Sequence, residues 1–473
     1  MNIDLNNSKI IFLIIYIQII LFFVLTFLLN LSLESYENIL ILIFCECVLI
    51  SLLGSKFNLY QIFLSMMFLF SVAIPFFIKF NLFTYPPGNR FLLGDGITIS
   101  VSNEIIGQTY FILTIMLLGT SIGWLISKLT LNMNISRANN LPRIILNNRF
   151  RKIIKILFFL FFPLVIYNNA LLFYYSLIYG YVEVMHLHSI DLNNNIIFTI
   201  ADTLYKAISL SLLFISRTSR EYIINSFLIM IPYLIQLATG ARGETIAVLL
   251  TLIFIYTLFF KKIDFKKIIP MTIVIFVVST IFGAYRFTRN LSGIFNSFSF
   301  SDLIVLGIVS NSSSIGVLSY TIQLKDKFFN EVPFLLGYIQ GIFSFAPNYS
   351  IEGIQNKNYL AQHLTYMINS KKLFGGSTIG TSQVAEFFEF ANGNLIIIFL
   401  LSVILIYFAC FLISKLNNNV FMFYIGALYL EQLWIAPRGS IMKIFSKETL
   451  IAFLFFIVIM LIYRFNKLTL NKT

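Results

Sequence analysis

The chain has 473 residues, 58% of them hydrophobic and 11% charged, with a mean hydropathy of +0.88 and a net charge of +13. Soluble domains of this length carry about a quarter charged residues, so a soluble globular enzyme is excluded and lipid is the expected solvent. Nucleic acid is not an expected partner either, because the charges cluster between apolar runs and form no continuous basic face.

A helix needs about 20 apolar residues to cross the hydrocarbon core. Runs of this kind fall at 10–29, 39–53, 59–78, 105–126, 153–179, 196–215, 222–238, 245–260, 268–284, 395–413, 420–435 and 450–463. The first run is too long for the apolar core of a signal peptide and no small-residue cleavage site follows it, so it reads as a span. Cys45 and Cys47 flank Glu46 inside the second run, and Cys410 lies in another. Such thiols behave as small apolar groups, and neither a disulfide framework nor a zinc site is expected.

Orientation follows from the connections, since Lys and Arg favour the cytoplasmic side. They crowd 128–155, 217–220 and 261–267, whereas the alternate short connections are poor in them. Both termini are therefore expected in the cytoplasm and 285–392 outside. The predicted fold class is an all-α polytopic membrane protein of about twelve transmembrane helices with one long extracytoplasmic loop. Its parts are a nine-helix bundle (1–284), the loop with interfacial helices (285–392) and a three-helix C-terminal segment (393–473), integrated in one domain. Within the loop, 302–323 and 332–345 are apolar enough for helices lying on the membrane or dipping into it. Ser301 is the expected N-cap of the first, and Lys325, Asp326, Lys327 and Glu331 form a polar break between the two. The sequence has no internal repeat and no inverted pair of Gly/Pro-broken helices of the transporter kind.

Ionisable residues inside spans are functional candidates by default. Asp202 and Lys206 stand at i and i+4, so they are expected to pair on one face, either as a structural ion pair or with Lys206 lining an anion site. Glu46 and Glu431 have no partner nearby in sequence. The outer turn Gly240-Ala241-Arg242-Gly243 joins two helices within a few residues. Its glycines permit the turn, the amides opening the next helix favour an anion, and the Arg fork suits a phosphate; the alternative is a capping, snorkelling arginine. Arg286 and Arg289, one turn apart, would share an anion or anchor lipid headgroups. Arg438 lies at another outer helix end. His363 is a candidate general base because its ordinary pKa is near neutral, or a plain loop residue. His186, His188 and Asp191 match a metal site only loosely, and no metal or cofactor is expected.

The closing block of the loop is Gly375-Gly376-Ser377 followed by Ser382-Gln383-Val384-Ala385-Glu386-Phe387-Phe388-Glu389-Phe390-Ala391-Asn392-Gly393. Together with the span count, the long loop before the last three helices and the Gly-Ala-Arg-Gly turn, it resembles the Wzy polymerases. These join O-antigen or capsular oligosaccharide repeat units and are relatives of the O-antigen ligases. The resemblance implies a metal-independent, glycosyltransferase C-like enzyme without a cofactor. Its partners would be undecaprenyl-diphosphate-linked oligosaccharide and membrane lipid, with a chain-length regulator and a flippase nearby in the bacterial cytoplasmic membrane. Carried across, Arg242, Arg286 and Arg289 would grip the lipid diphosphate, with Arg438 and Lys206 as further substrate-binding residues. His363, Glu386 and Glu389 are the candidates for catalysis. Related ligases place a His at the start of the closing helix, where this chain has Thr381 and Ser382. Ligase and lipid-linked oligosaccharide flippase are the alternative functions.

Overall fold

The computed structural model describes residues 8–27, 31–52, 58–80, 90–92, 98–131, 148–179, 196–239, 243–260, 314–328, 332–344, 346, 349–374, 378–416 and 420–470. Arg242, Arg286, Arg289, Ser301, residues 186–191, the expected span 268–284 and the Gly375-Gly376-Ser377 turn lie outside the described residues. Helices α1 (Ser8–Phe27), α2 (Leu33–Leu52) and α3 (Leu59–Lys79) lead to a short antiparallel hairpin of β1 (Arg90–Leu92) and β2 (Thr98–Ser100), with Arg90 opposite Ser100. Next come α4 (Asn103–Thr130), α5 (Asn148–Tyr179), α6 (Ile196–Phe214), α7 (Ser219–Thr239) and α8 (Gly243–Phe259). The loop region supplies α9 (Ser314–Leu324), α10 (Gly337–Ile342), α11 (Ile351–Lys357), α12 (Leu360–Phe374) and α13 (Gln383–Phe390). The chain finishes with α14 (Leu395–Lys415), α15 (Val420–Ile435) and α16 (Lys447–Leu470). Among the described residues, 7 helices are long and apolar enough to cross a membrane: α1 to α5, α7 and α14.

Local chemistry sets several helix starts. Asn58 accepts from the Gln61 amide at 3.0 Å and Gln61 accepts from the Asn58 amide at 3.2 Å, a reciprocal cap that opens α3. Ser102 caps α4 through the Ile105 amide at 3.3 Å. Burial then sorts the helices. The apolar window of α4 is 94% buried, against 22% for α1 and 28% for α5. A helix apolar all round belongs at the centre of a bundle or in lipid; α4 is the first case, and α1 and α5 are the second.

The tightest crossing joins α4 to α14. A Cβ on Gly119 would stand 2.6 Å from the Phe399 carbonyl oxygen and 2.8 Å from Ser402 Cβ, and one on Gly123 would strike the Val403 carbonyl. Two glycines four apart remove the side chains that hold helices apart, so backbones touch and dispersion replaces the hydrophobic drive that lipid does not supply. Glu46, solitary in sequence, accepts from Gln18 of α1 at 3.5 Å, and Gln18 also donates to Ser121 of α4 at 2.9 Å. This is a structural tie among three helices.

The loop departs from expectation at 332–345. In place of one helix over 332–345 there is a 3-10 turn, Phe334–Leu336, running into the six-residue α10. There Gly337 and Gly341 lie against the Asn358 carbonyl and the Tyr359 ring, contacts that a longer side chain would block. The described part of the expected helix 302–323 is α9. Ser314 to Ser319 are buried, and Ser319 bonds Thr109 of α4 at 2.9 Å.

Candidate functional site

Two polar clusters converge on the segment after α15, where Ala436–Arg438 and Ile441–Phe445 form successive 3-10 turns. The first cluster is built on α13. Ser382 caps this helix through the Ala385 amide at 3.2 Å, which fixes its first turn and directs Glu386 inward. Glu386 is 1% exposed. Thr381 Oγ1 donates to its Oε1 at 3.1 Å and Ser440 Oγ donates to its Oε2 at 2.5 Å. The amide of Ile441 donates to Gln383 Oε1 at 2.6 Å. The closing helix is thus fastened at two points to the residues directly after Arg438.

Burial pushes the Glu386 carboxyl up to about 8, with Glu389 adding to the rise and the two hydroxyl bonds opposing it. The shift favours the protonated form near neutral pH. An acid held protonated only in the folded state stabilises the fold below its unfolded pKa and loses that contribution as pH rises toward the folded value. Between the ordinary value of 4.5 and about 8, folding stability is expected to fall by up to about 1.4 kcal/mol per pH unit from this group. Glu386→Gln is expected to flatten that slope in thermal unfolding measured across the window; an unchanged slope would refute the neutral-acid assignment.

Glu389 and His363 meet at Phe334. Glu389 Oε2 accepts from the Phe334 amide at 2.9 Å, and the Phe334 ring stands edge-on to His363 at 4.8 Å. A carboxylate on the first amides of a turn is a capping arrangement. His363 is 5% exposed, with Nε2 3.1 Å from the Ile354 carbonyl. Burial lowers its pKa, partly opposed by that bond, so the ring is neutral and held against α11.

The second cluster sets two lysines, Lys206 and Lys443, among the acids Glu244, Glu431 and Asp202. Lys206 of α6 and Lys443 both donate to Glu244 Oε1, at 3.1 Å and 3.2 Å. The expected Asp202–Lys206 pair is therefore re-partnered: Lys206 turns across to α8, and Asp202 accepts from Asn168 at 3.0 Å. The side chains of Lys206, Glu244 and Lys443 are 39%, 36% and 40% exposed, so they stay within reach of a ligand while Glu386 does not. A small cavity beside them is lined by Lys206, Ser209, Tyr233, Thr251 and Glu431. Arg438 is half-buried, its guanidinium 5.9 Å from the Phe70 ring. Lys443 and Glu244 were not singled out by sequence reasoning. Only the fold brings Lys443 to a carboxylate 199 residues earlier.

A bundle with a largely buried central helix, lipid-facing outer helices, and lysines and acids gathered around the segment after α15 defines a multi-pass membrane protein with a polar site. The model of the family O-antigen polysaccharide polymerase Wzy matches residues 9–470, nearly the whole chain, and the protein belongs to that family. No curated protein and no solved structure matches the chain.

Proposed function

We propose that the protein joins O-antigen repeat units, carried on undecaprenyl diphosphate, into polysaccharide at the outer face of the bacterial cytoplasmic membrane, with both termini in the cytoplasm. The observation that carries this reading is the family match across residues 9–470. In this proposal the growing chain leaves its lipid diphosphate as an acceptor sugar hydroxyl attacks the anomeric carbon. Negative charge builds on the departing phosphate oxygen. Lys206, Lys443 and Arg438 meet that charge, joined by Arg242, Arg286 and Arg289. Fixed donors aimed at developing charge are the largest single contribution in many enzymes, and the reaction as proposed calls on no metal ion.

We assign Glu386, Glu389 and His363 to positioning. A neutral acid bonded by two hydroxyls, a carboxylate on a backbone amide and a neutral ring on a carbonyl each hold one loop element in place. The proton of the attacking hydroxyl then passes to water late in the reaction. The parts 1–284, 285–392 and 393–473 act as one unit in a glycosyltransferase C-like arrangement, a reading supported by the Glu244–Lys443 and Glu386–Ser440 contacts. A flippase supplying substrate and a chain-length regulator are its expected neighbours.

Proteoliposomes loaded with a lipid-linked repeat unit test the reading. The expected result is a ladder of products lengthening by whole repeats. A single transfer to a different acceptor would identify a ligase, and movement of substrate across the bilayer without bond formation would end the enzyme reading.

A further inference from the structure

The end of the bundle away from the candidate site carries a second built surface. α7 has 21 residues, about 30 Å of helix at 1.5 Å per residue; Glu221 lies in its first turn, whereas Glu244 follows its last. Facing Glu221, the start of α5 forms an open groove of about 500 Å³ lined by Asn148, Arg151, Lys152, Lys155, Ile156 and Phe159. Arg151 Nη2 donates to both Glu221 oxygens at 2.6 and 2.8 Å, and Lys155 donates to Oε1 at 3.1 Å. The Arg217 amide also donates to Glu221 at 3.0 Å, and the Arg217 guanidinium donates to Asn148 at 3.2 Å.

One carboxylate thus faces three cations in the groove itself. Lys152 is exposed and has no partner among the described residues. Arg151 Nε is buried and without an acceptor. A surplus of cations with an unused donor calls for an anion. The remaining wall is apolar: Ile156 and Phe159 are 57% and 56% exposed, and they continue into the lipid-facing strip of α5 through Leu160. A cationic head pocket opening onto a lipid-facing wall is complementary to an amphiphile with an anionic head.

We infer that this groove binds an anionic glycerophospholipid, with its phosphate on Arg151, Lys152 and Lys155 and an acyl chain along Ile156 and Phe159. The inference rests on α5 spanning the membrane and is independent of the polymerase reading. The lipid would clamp α5 to α7 through the ion pairs around Glu221, tying a largely lipid-exposed helix to its neighbour.

The test is native mass spectrometry of the full-length protein in detergent with phosphatidylglycerol or phosphatidylcholine of matched acyl chains. Each basic residue near an anionic lipid surface is worth about 1 kcal/mol, or about fivefold. Phosphatidylglycerol is therefore expected to be retained at least about fivefold over phosphatidylcholine, and Lys152→Ala is expected to cut that preference about fivefold. Lys152 has no partner to lose among the described residues, so this variant is expected to keep the fold; Lys155→Gln is the second variant. Equal retention of both lipids, or a preference unchanged in both variants, would overturn the site. Full displacement of phosphatidylglycerol by millimolar inorganic phosphate would show a phosphate pocket without acyl recognition and overturn the lipid assignment. Loss of the preference with laddering intact would leave the polymerase reading untouched.

Discussion

Gly123→Leu is expected to prevent assembly of the bundle, with the purified yield of folded protein near zero and any residual material melting far below the parent. The cause lies at the α4–α14 crossing, where even a Cβ at this position meets the Val403 carbonyl. Overpacking a tight core costs about 1–3 kcal/mol when neighbours can shift. Here the obstacle is backbone, so relief requires the helices to separate and forfeits the whole interface. Gly119→Ala is expected to be milder only because it adds a single methyl, which still meets the Phe399 carbonyl at 2.6 Å and Ser402 Cβ at 2.8 Å. Size-exclusion profiles and thermal melts in detergent give the reading. A Gly123→Leu protein that elutes and melts like the parent would rule out backbone contact at the crossing.

Lys206→Ala and Lys443→Ala are each expected to slow repeat-unit transfer by about 10²–10³-fold, on the scale of removing one fixed donor from a developing oxyanion. Because both lysines share Glu244, the double variant is expected to fall short of the product of the single effects. Lys443→Arg should retain part of the rate, since it keeps charge but changes geometry. Initial rates of chain extension in proteoliposomes decide the matter. A parental rate in either alanine variant removes that lysine from the site. Expression should stay near parental in each single variant, because Glu244 keeps one of its two lysine partners.

These two expectations also mark what sequence discloses. The long apolar runs at 10–29, 105–126 and 395–413 announce helices because periodicity and length are local properties, and α1, α4 and α14 lie there with ends moved by a turn or less. The polar stretch before α13 concealed α11 and α12, since short amphipathic helices in a mixed-polarity loop lack a long apolar run. Gly119 and Gly123 are visible in sequence, but their use depends on which helix passes across them. Lys206 was legible as a charge in a span; its partner was not, because Glu244 arrives from another helix and Lys443 from a later connection. Glu386 was legible as an acid in the closing block. Its preference for the protonated form was not, because that depends on burial and on Ser440, 54 residues away.

Glu244 gives the lysine cluster a place in time as well as in space. During synthesis Lys206 and Glu244 leave the ribosome well before Lys443, which follows Glu244 by 199 residues. Of the two lysines that share this carboxylate, Lys206 precedes it in the chain, and Lys443 exists only once the segment leading into α16 has been made. Ser440 reaches Glu386 in the same interval. A nascent chain therefore has neither the complete cation set nor the fastened closing helix. The two contacts on which the proposed site depends, Glu244–Lys443 and Glu386–Ser440, are therefore late ones, and chains truncated before Ser440 are expected to be inactive in repeat-unit transfer.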